Sequence, residues 1–189
     1  MKGKIRAAIE QHMAVSNALH GKAEIIERIV SALVPVVKRG GKILVCGNGG
    51  SAADSQHIAA ELVGRFKKER RPLAVIALTT DTSVLTSLSN DYGYDKVFER
   101  QVLALGVKGD AVIGISTSGA SFNVANALKK AGELGLLTIG LLGRDGGTIK
   151  RFCDHALVIE GADTPRVQEM HILAAHIICE LIEDAIASC

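Results

Sequence analysis

The sequence is poor in aromatic residues, with two Tyr, four Phe and no Trp among 189 positions. That scarcity argues against the stacking platforms that hold single-stranded nucleic acid. A surplus of positive charge is also missing. Lys and Arg number 22 against 20 Asp and Glu, a formal charge of +2, and the longest basic clusters are Lys67-Lys68 and Arg70-Arg71. Counterion-release binding needs a broader basic face, so no nucleic-acid partner is expected. The four cysteines, Cys46, Cys153, Cys179 and Cys189, have no CxxC spacing. Neither a disulfide framework nor a Cys-based zinc site is expected, and reduced thiols in a cytoplasmic protein are the simplest expectation. No apolar run reaches membrane-spanning length. The opening MKGKIRAAIEQHMAVSNALHGK alternates charged and apolar residues where a signal peptide would be continuously apolar. No membrane partner is expected either.

What is present suits a globular chain: 48% hydrophobic and 22% charged residues, over a length that fits one domain better than two. Strand-length apolar runs recur at Lys42–Cys46, Leu73–Leu78, Ala111–Ile115, Leu136–Leu141 and His155–Ile159. Continuous runs of this kind suit strands buried on both faces, as in a parallel sheet, and the segments between them have helical patterning. The fold class expected is therefore α/β. Two amphipathic helices, about Ile5–Leu19 and Ala23–Lys38, precede the first strand. A long helix follows Pro165 to about Ala187, with Thr164 expected as its N-cap. With no repeat or composition break, residues 1–189 are expected to form a single domain whose first 40 residues or so are a helical extension.

Glycine-rich segments follow two of the strands. Gly47-Asn48-Gly49-Gly50-Ser51 follows the first and Ser116-Thr117-Ser118-Gly119 the third. In an open parallel sheet, ligands bind beyond the carboxyl ends of the strands, so both segments are expected on that edge. CGNGGSAAD is neither a dinucleotide fingerprint nor a P-loop, and a tight turn without a ligand would also explain it. ISTSGAS is more telling. Its four hydroxyl residues, Ser116, Thr117, Ser118 and Ser121, exceed what helix capping requires, and with helix N–H groups they can wrap a phosphate without a lysine.

His57 and Glu61 share a helix face at i,i+4, and Gln168, Glu169, His171 and His176 lie on the last helix. His57, Glu61, Gln168 and His176 would make a nitrogen and oxygen set suited to Zn²⁺, although a surface hydrogen bond explains an i,i+4 His–Glu pair as well. Gln168 and His176 stand about 12 Å apart along a straight helix, and their directions differ by about 80°. Sharing one ion would need long reaches, a distorted first turn or ligands from different subunits, and by spacing His171 sits closer to Gln168. Asn90-Asp91-Tyr92-Gly93 reads as a turn between helices. Arg65 is either solvated or faces an anion, Gly143–Gly147 reads as a structural turn, and His12 and His20 have no evident partner.

The segments CGNGGSAADSQHIAAELVGRF, LTSLSNDYGY, GISTSGASFNV and TPRVQEMHILAAHIICELIE together resemble the sugar isomerase (SIS) domain family, and within it the phosphoheptose isomerases. The resemblance covers nearly the whole chain. It implies a five-stranded parallel sheet flanked by helices, assembled as a homotetramer with active sites at subunit interfaces. It also implies conversion of sedoheptulose 7-phosphate to D-glycero-D-manno-heptose 7-phosphate, the first step of ADP-heptose synthesis for bacterial surface polysaccharide. By motif position, Asn48, Gly49, Gly50 and Ser51 resemble residues lining the sugar site, and Asn90 and Asp91 further substrate contacts. Ser116, Thr117, Ser118 and Ser121 resemble the phosphate cradle. His57, Glu61, Gln168 and His176 resemble ligands of one zinc ion per subunit, with Glu61 and Gln168 also near substrate and Glu61 and His176 the acid/base pair. Two other readings share the fold: a regulator that binds a replication initiator protein, and an isomerase or sensor of amino-sugar phosphates. The presence of both Glu61 and His176 favours the enzyme.

Overall fold

The structure is a computed structural model that describes residues 1–161 and 163–187. The elements run α1 (Lys2–Leu19), α2 (Ala23–Lys38), β1 (Ile43–Gly47), α3 (Gly50–Val63), β2 (Val75–Ala77), α4 (Thr82–Tyr92), α5 (Val97–Leu105), β3 (Ala111–Ser116), α6 (Phe122–Glu133), β4 (Leu137–Gly143), β5 (His155–Ile159) and α7 (Thr164–Ala187). The five strands form one all-parallel sheet in the order β2-β1-β3-β4-β5. Ile43 stands opposite both Val75 and Ala111, Ala111 opposite Leu137, and Ile139 opposite His155.

Period-two alternation divides the strand residues between two cores. Ile43, Val45, Ile113, Ile139 and Leu157 pack with α2, α3 and α7 through Ile29, Leu33, Leu62, Met170 and Ile178. Leu44, Cys46, Val112 and Leu142 pack with α5 and α6 through Phe98, Val102, Val124 and Leu128. Helices therefore cover both faces, which is why the strands read as unbroken apolar runs rather than alternating ones.

The strands lie where the sequence puts them, with one shortening. In the run expected over 73–78 the strand spans Val75–Ala77, with the Ala74 carbonyl and the Leu78 N–H also bonded to β1 (2.9 Å each). The Leu73 N–H donates instead to the Leu62 carbonyl at the end of α3 (3.2 Å), so the chain reaches the sheet edge late. Helix α7 opens at Thr164, a residue earlier than expected, because the Val167 N–H bonds the Asp163 carbonyl (3.1 Å). Thr164 is thus helical and not the cap. Pro165 still suits the first turn, where its missing N–H has no intrahelical partner to lose. Asn90-Asp91-Tyr92 is likewise not a turn between helices but the last turn of α4, closed by Gly93 at φ +84°. Cys46, Cys153 and Cys179 are free thiols, and Cys189 lies outside the described residues. Burial pushes the Cys46 and Cys179 thiols up to about 12, so both are inert neutral groups.

The amino-terminal edge of the sheet is tied by Asp110, which is 2% exposed. Its carboxylate accepts the Lys42 N–H (3.0 Å) and the Val107 N–H (3.0 Å) and pairs with the Lys42 ammonium. Burial opposes the charge, but the Lys42 ammonium and the two N–H donors outweigh it and hold the Asp110 carboxyl below its usual value. A carboxylate with a lowered folded-state pKa stabilises the fold above its unfolded value of about 3.9, and that contribution is lost as pH falls through the folded value. Asp110→Asn is therefore expected to lose about 1.5–3 kcal/mol at neutral pH, the range for hydrogen bonds to charged groups. The deficit should shrink in urea titrations below about pH 4. A deficit that stays constant down to the lowest pH would show that the charge is not what ties this edge.

Candidate active site

The strand order reverses between β1 and β3, so the segments leaving these two strands diverge to opposite faces and open a crevice at their carboxyl ends. Both glycine-rich segments border that crevice, as expected. Helix α3 starts so tightly that a Cβ on Gly47 would lie 2.7 Å from the Ser51 Cβ. Asn48 precedes Gly49 at the cap position, Gly50 opens the helix, and Ser51 is buried in its first turn. The cap residues Gly49 and Ser121 make no side-chain cap bond, and in α6 the Asn123 Oδ1 accepts the Val124 N–H (2.9 Å). Ser121 holds the α6 cap position, but its hydroxyl bonds the Ser116 hydroxyl (3.0 Å), which also meets that of Ser118 (3.3 Å). Ordinary capping therefore does not account for this serine cluster. Its oxygens face one another beside the start of α6, an arrangement suited to an anion with several acceptor atoms.

Two residues that sequence reasoning did not single out tie the crevice together. Asn48 and Asn123 exchange reciprocal side-chain hydrogen bonds, each 2.9 Å, between the β1 and β3 sides. The Tyr94 hydroxyl donates to the Asn48 Oδ1 (3.0 Å). Tyr94 and Asn123 both fall within the segments that carry the family resemblance, but only the fold shows that they meet at Asn48. Asn90 and Asp91 are exposed at the end of α4 and bond each other (2.8 Å).

Helix α3 presents His57 and Glu61 toward α7, where His176 meets them. The His57 Nε2 lies 2.9 Å from the His176 Nε2 and 3.2 Å from the Glu61 Oε1, and one donor atom from each of the three falls within 4.8 Å of the others. Two imidazole nitrogens and a carboxylate oxygen converging in this way form a donor set that suits Zn²⁺. The Phe66 ring stacks on His176, with centroids 5.6 Å apart and planes at 24°. Gln168 takes another partner: its amide donates to the Asp54 Oδ1 (2.7 Å), one turn before His57. Asp54, missed by the sequence analysis, continues the His57/Glu61 face at i−3, which is the signal that could have found it. Burial raises its pKa, against the Gln168 bond and the His57 charge, and its Oδ2 is buried without a partner.

His171 does not join Gln168. It is fully buried, and burial pushes its pKa down to about 4, so it is a neutral core histidine. His12 is not isolated, since its Nδ1 lies 2.8 Å from the Glu169 Oε2 and so ties α1 to α7. Arg65 lies on a solvated face, 3.9 Å from Glu69. Gly143–Gly147 is the structural turn expected, and it packs on Gly119.

With this geometry in view, the class is clear from the matches. A family model described as a SIS domain matches residues 9–143. The phosphoheptose isomerase of Aliarcobacter butzleri is 55% identical over 183 residues, covering 97% of each chain. Phosphoheptose isomerase 1 of Campylobacter jejuni is 54% identical, over 93% of this chain and 95% of that one. Among solved structures, phosphoheptose isomerase GmhA from Neisseria gonorrhoeae superposes with a TM-score of 0.92 at 42% identity, covering 97% of this chain and 98% of that one. The chain belongs to the phosphoheptose isomerase family of SIS-domain proteins.

Gly119 holds the serine loop in shape. Its φ is +67°, and a Cβ there would lie 2.5 Å from the carbonyl carbon of Gly146. Gly119→Ala is expected to cost more than about 1 kcal/mol in thermal or chemical unfolding, since an L side chain resists this φ and the turn beneath must shift. An unaltered stability would show that the loop has room the structure does not display.

Proposed function

We propose that this chain is a cytoplasmic isomerase that interconverts sedoheptulose 7-phosphate and D-glycero-D-manno-heptose 7-phosphate, supplying the first step of ADP-heptose synthesis. The observation that carries the reading is the convergence of Glu61 and His176, a carboxylate and an imidazole, between α3 and α7. A ketose and its isomeric aldose differ by a proton moved between adjacent carbons, and that transfer needs a positioned base and a proton donor. Glu61 takes the proton from the carbon next to the carbonyl and delivers it to the former carbonyl carbon, while His176 donates a proton to the carbonyl oxygen and recovers one from the hydroxyl oxygen of the neighbouring carbon. Ser116, Thr117, Ser118 and Ser121 hold the phosphate, with the α6 N–H groups behind them. Asn48, Gly49, Gly50 and Ser51, with Asn90 and Asp91, line the sugar's path.

His57, Glu61 and His176 would hold a zinc ion, with Gln168 a fourth ligand once it leaves Asp54. Such an ion would act as a Lewis acid on the carbonyl oxygen. Among the described residues no helix is long and apolar enough to cross a membrane. We take the active assembly to be a homotetramer of single SIS domains with helical extensions. In support, Ile5, Ile9 and Met13 leave an apolar stripe on α1 more than half exposed. Exposed stripes of this kind fit contact between copies.

The reading is tested by incubating the protein with sedoheptulose 7-phosphate and following the products by NMR. Glu61→Gln and His176→Gln are each expected to lower turnover about 10²–10⁴-fold. If the two residues serve chiefly as metal ligands, bound zinc should fall in step with turnover, and added zinc should restore part of both. Near-normal turnover in both variants would remove the proton-transfer assignment and favour a binding protein.

The phosphate assignment has its own test. Ser118→Ala and Ser121→Ala should each raise KM by an amount corresponding to about 1.5–3 kcal/mol, one hydrogen bond to a charged group. Turnover at saturation should change much less. An unchanged KM in both would take the serine loop out of the site.

A further inference from the structure

A buried carboxylate that the mechanism above does not use lies behind the cluster. Glu183, two turns beyond His176 on α7, is 1% exposed. Its Oε1 accepts the Phe66 N–H (2.8 Å), and its Oε2 accepts those of Lys67 (2.6 Å) and Lys68 (2.7 Å). Arg70, with an equally buried side chain, brings its Nε to 3.4 Å from the Glu183 Oε1. The other guanidinium nitrogens reach back to α3: Nη2 donates to the Glu61 carbonyl (2.8 Å) and Nη1 to the Gly64 carbonyl (2.6 Å). One carboxylate thus grips the peptide of Phe66, whose ring stacks on His176, and the arginine that holds the main chain of Glu61.

Burying a lone carboxylate costs several kcal/mol, and here three N–H donors and a guanidinium offset it. The flanking pairs Lys67–Glu180 and Lys68–Asp184 are exposed and add little to the docking. The geometry of this segment is therefore set from Glu183, and both proton-carrying residues lie one contact away from it.

We propose that Glu183 is a positioning residue for the isomerisation, fixing the Phe66 ring against His176 and, through Arg70, the turn of α3 that carries Glu61. The proposal rests on the isomerase reading for its kinetic consequence but not for its structural one. Glu183→Gln keeps the side-chain volume, removes the charge and replaces one acceptor oxygen with a donor that faces N–H groups. Its kcat on sedoheptulose 7-phosphate should fall about 10–10²-fold, the scale of an ångström-level misplacement of reacting groups. KM should stay within about twofold, because the serine loop on β3 is untouched. The ring-proton signals of His176 in the NMR spectrum, assigned by their loss in His176→Gln, should shift as the Phe66 ring current moves away.

A variant with lowered thermal stability but wild-type kcat and unmoved His176 signals would reduce Glu183 to a structural clamp and overturn the proposal. So would a raised KM at unchanged kcat. If Glu183→Gln does not fold, Phe66→Leu removes the ring while leaving the carboxylate and its main-chain donors in place. The same loss of kcat and shift of His176 signals is then expected, and their absence overturns the proposal. Should the wild-type protein fail to isomerise the substrate, the proposed function falls, while the NMR comparison, which needs no substrate, still decides whether Glu183 sets His176.

Discussion

The site depends on α3 and α7 lying side by side and pointing the same way. Their contacts ascend together: Gly50 and Asp54 with Gln168, His57 and Glu61 with His176, and the segment after α3 with Glu183. Because both helices advance 1.5 Å per residue, matched spacings keep successive turns in register over the whole run. The adjoining face of α3 buries Ile58 and Leu62 in the core, which fixes the rotation of the helix about its axis. That rotation aims Asp54, His57 and Glu61 at α7. An antiparallel packing would set His57 against the far end of α7 and scatter the cluster.

The sheet was legible in the sequence for one physical reason: a strand buried on both faces has no position where a polar residue is cheap. Lys42–Cys46 and Ala111–Ile115 therefore stand out, and their structural counterparts differ only at the ends. The edge strand β2 was less legible, because its length depends on where Leu73 sends its N–H, a choice made by tertiary contact. The serine loop could be singled out from an excess of hydroxyls over capping needs, and in the structure Ser121 makes no side-chain cap bond. The Asn48–Asn123 pair and the Glu183 grip could not be read, since each joins residues far apart in sequence whose types are ordinary where they stand. Spacing along one helix also left Gln168 ambiguous; its partner turned out to be Asp54, on the other helix.

Buried ionisable groups divide by edge. At the amino-terminal edge both Asp110 carboxylate oxygens accept N–H bonds, and the residue serves stability. At the site, Asp54 keeps one buried oxygen without a partner, although burial already strains its charge. Fully paired polar networks rigidify a fold, whereas an incompletely paired one is tolerated where structure is subordinate to chemistry. Glu183 stands between these cases. It is saturated with donors like Asp110, yet every one of those donors belongs to a segment that touches the site.

The serine loop also shows what kind of anion recognition the fold supports. Its four side chains are neutral, the adjoining helix α6 opens without a cap bond from the Ser121 side chain, and the chain as a whole carries a formal charge of only +2. A cationic patch attracts phosphates of any shape over a Debye length of about 8 Å, and salt weakens it. Hydroxyls and helix N–H groups act only at hydrogen-bond distance and only along their donor directions. Phosphate held in that way is fixed in orientation as well as bound. A sugar anchored at its terminal phosphate then has its reacting carbons placed by its own chain length.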